Sequence, residues 1–151
     1  MSGNPYNGFL WAERQKAYNW LKREWAAGRR VKVGPRCDVC GQTGGYLAAH
    51  SEDYSAPYGP HIGQWSLCYW CHMLIHCRFR SGEVFAGYVA MLESGERFVN
   101  TPGRHWGTVQ SYLAGRLAPR REPTDHALVD PFGPLVAQGA AAMERRERQE
   151  R

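Results

Sequence analysis

Cysteines stand at positions 37, 40, 68 and 71, in two Cys-x2-Cys pairs separated by the 27 residues 41–67. Thiolates three positions apart on a tight turn can both reach one ion at about 2.3 Å, and four of them satisfy a tetrahedral zinc with no open position. The chemistry expected of Cys37, Cys40, Cys68 and Cys71 is therefore structural zinc binding. Such a site contributes to folding because the unfolded chain lacks it. The segment 1–9 has no basic region followed by an apolar run, so no export signal is expected and the chain reads as cytoplasmic. In a reducing compartment, paired cysteines point to metal rather than to disulfides. The fifth cysteine, Cys77, is left as a free thiol.

A second chemistry begins directly after the second pair. His72 follows Cys71, and His76 lies four residues on. On a helix, positions i and i+4 share a face, so two imidazoles can converge on one ligand. Imidazole suits a transition metal, which makes His72 and His76 candidate ligands of a second ion. Mg2+, Mn2+, Ni2+ and Zn2+ all stay open for it. His50 ends a strand candidate between the two cysteine pairs, and would face the histidine pair if that strand lay against the start of the helix. Three histidines could build a phosphodiester-cleaving centre, in which a metal polarises the phosphate and a histidine activates water. His61 reads as a loop histidine, and Glu52 and Asp53 as caps of the loop backbone.

These side chains need elements to hold them. Residues 10–27 have helical periodicity, with Leu10, Trp11, Ala17, Tyr18, Leu21 and Trp25 on one face, Arg14 interrupting it and Gly28 as a stop. A basic linker leads to Cys37. The glycine after Cys40 permits a knuckle turn that aims amides at thiolates. Residues 46–50 and 65–67 are short strand candidates, with an ordered Ser/Asp/Pro/Gly loop at 51–63 between them. A helix is expected from about 69 to 79, and others at 83–93 and 105–117. Pro119 opens a Pro-rich segment, and 137–151 reads as a solvated helix or a frayed tail. The blocks expected are 1–36, 37–80, 81–118 and 119–151, the last ending in a disordered tail. Trp20, Trp25, Trp65 and Trp70 are assigned to the core, because a small metal domain needs large apolar residues to pack its helices. No stretch approaches the roughly 20 apolar residues of a membrane span.

Cys37-x2-Cys40-Gly41, then Ala49-His50-Ser51-Glu52-Asp53-Tyr54-Ser55-Ala56-Pro57, then Trp65-Ser66-Leu67-Cys68-x2-Cys71-His72-x3-His76 together resemble the four-cysteine branch of HNH endonucleases, common in phages and bacteria. The resemblance covers about residues 37–79. It implies an α+β fold, a small treble-clef or ββα-metal zinc domain with a short hairpin, here flanked by helices. In that family the first motif is commonly Asp-His or His-His, one residue a metal ligand and the next the general base. Here His50 stands alone between Ala49 and Ser51. As base it would lack the preceding ligand, and as ligand it would be followed by a serine that cannot serve as base at neutral pH. His72 falls on the motif's final position, and His76 resembles an extra ligand of the toxin-type members.

The net charge of +5 is unevenly spread. Residues 1–36 carry +6, residues 37–77 carry −3 with no Lys or Arg, residues 78–121 carry +4 and residues 122–151 carry −2. A centre without Lys or Arg between basic flanks suits a metal site presented to a polyanion. Arg29, Arg30, Lys32 and Arg36 before the first knuckle, and Arg78 and Arg80 after the histidines, are the candidate phosphate contacts, with DNA the expected partner. Three functions compete: a metal-dependent DNA endonuclease, a nucleic-acid-binding zinc module without activity, and a protein-interaction module using the aromatic helices and the Arg/Glu tail 144–151.

Overall fold

The computed structural model describes residues 4–124 and 130–151. The fold is α+β. Among the described residues the order is α1 (Trp11–Ala26), β1 (Leu47–His50), β2 (Trp65–Cys68), α2 (Tyr69–Cys77), α3 (Gly82–Glu93), β3 (Glu96–Phe98), α4 (Trp106–Leu113), β4 (Arg121–Pro123) and α5 (Gly133–Glu150). The sheets are two-stranded, β1 with β2 and β3 with β4. No helix of the described residues is long and apolar enough to cross a membrane.

The chain divides into two compact units that interleave in sequence. One comprises Met1–Lys32, Ala49–Trp65 and Gly133–Arg151, the other Val33–Ala48 and Ser66–Phe132. Each draws on several of the blocks expected from the sequence.

In the first unit, α1 starts with one half of a capping box. The Glu13 carboxylate accepts a hydrogen bond from the Leu10 amide at 2.7 Å, satisfying a donor that a helix start leaves open. Ala17 and Leu21, four apart, bury against Ile62, with Trp20, Trp25, Tyr54 and Tyr58 packed partly around them. Gly63, at φ 62°, lets the loop pass directly over Leu21, where a Cβ would overlap the leucine methyl. The buried seam is narrower than the periodicity predicts. Leu10, Trp11 and Tyr18 stay 58%, 43% and 42% exposed. The seam follows Ala17 and Leu21, and Trp11 and Tyr18 form a separate stripe seven residues apart.

The C-terminal stretch is the helix of the two forms expected of it, but with one face buried. It is an 18-residue helix, α5, with Leu135, Gly139 and Ala142 buried at helical spacing, and so is neither frayed nor solvated all round. Arg146 pairs with Glu13 at 2.9 Å, and Arg145 with Asp53 at 2.7 Å.

The second unit is built on aromatic packing. Phe98 meets Trp70, Tyr88 and Tyr112 with ring centroids 5.0–5.2 Å apart, and Phe132 packs on Phe85 and Tyr88. β3 and β4 pair antiparallel, Glu96 with Pro123 and Phe98 with Arg121. Neither strand was expected from the sequence. Of the four tryptophans assigned to the core, Trp70 is buried, and Trp20, Trp25 and Trp65 are half-buried.

Candidate metal centres

The four-cysteine site lies in the second unit. Asp38 and Ser66 exchange backbone and side-chain hydrogen bonds at 2.7 Å each, tying the first knuckle to β2. Gly41, at φ 75°, closes the turn by donating to the Cys37 carbonyl at 3.0 Å. β2 delivers Cys68, which also caps α2: its sulfur accepts the Cys71 amide at 3.5 Å. The Cys40 amide does the same to the Cys37 sulfur at 3.5 Å. All four cysteines are fully buried.

Together Cys37, Cys40, Cys68 and Cys71 form a cluster that could hold a metal ion such as zinc, with sulfurs within 4.8 Å of one another. The Cys40 and Cys68 sulfurs are 3.7 Å apart. That fits a metal and not a disulfide, because the edge of a sulfur tetrahedron with bonds of about 2.3 Å is about 3.8 Å, and a disulfide is about 2.05 Å. The electrostatics agree. Burial pushes the Cys68 and Cys71 thiols well up. At Cys37 burial acts upward too, but hydrogen bonds with the Cys40, Cys68 and Cys71 side chains outweigh it and hold the group well below the usual thiol range. Four sulfurs in one dry cavity cannot all ionise without a cation among them. Outer partners complete the setting. Tyr88 Oη lies 3.1 Å from the Cys71 sulfur, and Gln42 Nε2 lies 3.6 Å from that of Cys40. Gln42 also donates to the Phe98 carbonyl at 3.0 Å and accepts from the Asn100 amide at 2.7 Å.

The fifth cysteine, Cys77, is buried at the end of α2, and burial raises its thiol. His72 and His76 are half-buried on α2. Their Nε2 atoms are 3.1 Å apart, with the rings nearly edge to face at 4.7 Å. Two nitrogens at that separation can each reach one ion at about 2.0–2.1 Å.

His50, at the end of β1, is 2% exposed. Its Nε2 lies 3.2 Å from Glu52 Oε1 and 3.4 Å from Tyr6 Oη. Tyr6 donates its hydroxyl to the same Oε1 at 2.9 Å, and the Asn7 amide donates to the Glu52 backbone carbonyl at 2.9 Å and to Oε2. Glu52 is thus not the loop-backbone cap expected of it, but a fully buried carboxylate beside His50. Asp53 does cap the loop, its Oδ1 accepting the Ser55 amide at 2.9 Å.

The neighbours of His50 are committed elsewhere. Ser51 Oγ accepts the Gly63 amide at 2.7 Å, and His61 Nε2 lies 2.8 Å from the Ser55 carbonyl. The basic candidates divide. Arg30 donates to the Ile62 and Gly59 carbonyls at 2.6 and 3.3 Å, so it holds the loop. Arg29 pairs with Glu24 at 2.8 Å on the surface. Lys32 lies over the Trp25 ring at 5.8 Å. Arg78 donates to the Ile75 carbonyl at 2.9 Å and stacks on Phe79 at 4.2 Å. Arg36 and Arg80 are exposed.

Tyr6, Asn7 and Tyr88 had no signal in the sequence, because their partners lie 17–46 residues away, and Gln42, two residues from Cys40, is held by Phe98 and Asn100, 56 and 58 residues on. Comparison with protein-family models, with curated proteins and with solved structures finds no match to the chain.

Proposed function

We propose that the chain is a metal-dependent endonuclease of the HNH type, hydrolysing DNA phosphodiester bonds on a treble-clef scaffold closed by a structural zinc. The observation that supports this reading is the imidazole pair on α2, His72 and His76, whose Nε2 atoms stand 3.1 Å apart directly after the four-cysteine cluster. In this proposal all three imidazoles are ligands of one cation, and the fit rests on their chemistry. Neutral imidazoles leave a divalent ion its full charge, and three protein ligands leave coordination positions open. A bound cation would supply Lewis acidity at a phosphodiester oxygen and lower the pKa of a coordinated water, so no second histidine beside His50 is required. The chain's own contribution is to fix three donors and limit solvent. The α2 face presents His72 and His76, and His50 is held by Glu52 and Tyr6. Arg78 and Arg80 would contact the DNA backbone.

An all-imidazole set favours first-row transition ions over Mg2+. The expected result is nicking of supercoiled plasmid with Mn2+, Ni2+, Co2+ or Zn2+, weaker with Mg2+ and abolished by His72→Ala. Absence of cleavage across that metal series and from pH 6 to 9, with salt-dependent DNA binding retained, would instead assign the chain to non-catalytic nucleic-acid binding.

A further inference from the structure

The environment of His50 is set by residues outside the motif that contains it. The Tyr6 hydroxyl carries one proton, and that proton is donated to Glu52 Oε1. Toward His50 Nε2, 3.4 Å away, the same hydroxyl can then only accept. Glu52 Oε1, 3.2 Å from Nε2, is an acceptor as well. Nε2 therefore faces two acceptors and must carry a hydrogen. In a neutral imidazole, the lone pair then sits on Nδ1. The carboxylate is itself clamped. Asn7, at φ 50°, turns its side-chain amide onto the Glu52 backbone carbonyl and Oε2. Gly139 of α5 leaves room for this contact, since a Cβ there would lie 2.5 Å from Asn7 Nδ2 and 3.0 Å from Glu52 Oε2.

We propose that Glu52, clamped by Tyr6 and Asn7, is the positioning residue that holds His50 as the Nε2–H tautomer and so makes Nδ1 the metal-binding nitrogen. The role of Nδ1 as ligand rests on the three-histidine metal reading above, but the tautomer assignment does not. Carboxylate partners of this kind orient a ligating imidazole and raise its basicity, and their loss typically costs about 10–100-fold in metal affinity. The N-terminal segment thereby becomes part of the site.

Two measurements on the full-length, zinc-loaded protein test this. Nitrogen NMR of the imidazoles, with the His50 signal assigned by its loss in His50→Gln, should show the Nε2–H tautomer before any second metal is added. An Nδ1–H tautomer overturns the proposal, whether or not the protein cleaves DNA. Titration with Co2+, followed by its visible spectrum, should give about 10–100-fold weaker binding to Glu52→Gln than to wild type. Glu52→Asp, which keeps the charge, should recover part of the loss. Both variants must keep one zinc and the near-ultraviolet circular dichroism of the wild type. A folded Glu52→Gln with unchanged Co2+ affinity overturns the positioning role. If Glu52→Gln does not fold, the wild-type tautomer decides alone. If the wild type binds no Co2+ yet shows the Nε2–H tautomer, the metal reading fails and the orienting role of Glu52 stands.

Discussion

The cysteine cluster and the candidate histidine ligands are supported in opposite ways. The cysteines arrive as two short turns, each with two ligands and one amide-to-sulfur hydrogen bond spanning three residues. The histidines have one local pair, His72 and His76, and one member whose orientation depends on Tyr6 and Asn7, more than 40 residues earlier in sequence. The first arrangement is closed, dry and without an open position, and suits stability. The second offers imidazole nitrogens at half-buried positions on α2 and at the buried His50, a donor type that suits a transition-metal ion. Substitutions in the two groups should therefore separate stability from activity.

The largest effect expected is loss of the second unit's fold on removal of the cysteine-bound metal. Structural zinc contributes about 10–16 kcal/mol of apparent binding energy in small domains, comparable to the entire stability of a typical domain at about 5–15 kcal/mol. Cys68→Ser, or a strong chelator at neutral pH, should abolish the near-ultraviolet signal of the Trp70, Tyr88 and Phe98 cluster. Retention of that signal in metal-free protein would rule out a folding role for the cluster. His72→Ala is the contrasting change. It should leave zinc content at one and shift stability by about 1 kcal/mol or less, as expected for a half-buried position, while eliminating metal-stimulated plasmid nicking. Unfolding of His72→Ala to the same extent as Cys68→Ser would erase the distinction between the two groups.

A smaller effect tests whether support for the histidine group extends to the C-terminal helix. Gly139→Ala improves helix propensity by about 1 kcal/mol. The added methyl, however, would press on the Asn7 amide and on the Glu52 carboxylate. Overpacking of a filled site costs about 1–3 kcal/mol, so the net change in denaturant unfolding should be destabilising. A stabilised Gly139→Ala would show that the clamp yields without cost.

The same contrast explains what could be read without a structure. Cysteine spacing is a local signal, and the sequence places β1, β2 and α2 within about two residues, the second knuckle joining β2 directly to α2. The i, i+4 spacing placed His72 and His76 on one helix face for the same reason. The support around His50 was invisible. Glu52 beside Asp53 looks like loop polarity, and nothing in the order of residues links it to Tyr6 or Asn7. The buried face of α5 hid because it is Leu135, Gly139 and Ala142, two of them too small to register as an apolar stripe. β3 and β4 hid because three-residue strands carry no measurable alternation, and α4 separates them in sequence. The width of the α1 seam was overestimated because periodicity states which residues share a face, and not what is available to cover it.

The smallest effect expected concerns Asp53, which joins the 51–63 loop to α5 and so belongs to the support. Burial acts to raise its carboxyl, but hydrogen bonds from Ser55 and the nearby charges of His61 and Arg145 outweigh it, leaving the group below the ordinary carboxylate value. Its partner Arg145 is about half exposed, so the ion pair is screened and modest. A depressed folded-state value stabilises the fold above the unfolded value of about 3.9, and that contribution is lost as pH falls through the folded value. Wild-type protein should thus lose stability below about pH 4 more steeply than Asp53→Asn, whose amide does not titrate. The comparison is made as a difference between the two proteins at each pH, because protonation of the cysteine sulfurs releases metal from both alike. Parallel acid limbs would mean that the ionisation of Asp53 contributes nothing to holding the loop. A wild-type limb that converges on the variant's as the carboxylate protonates would place its charge, through the Ser55 hydrogen bonds and then His61 and Arg145, among the forces that hold the loop following His50 in place.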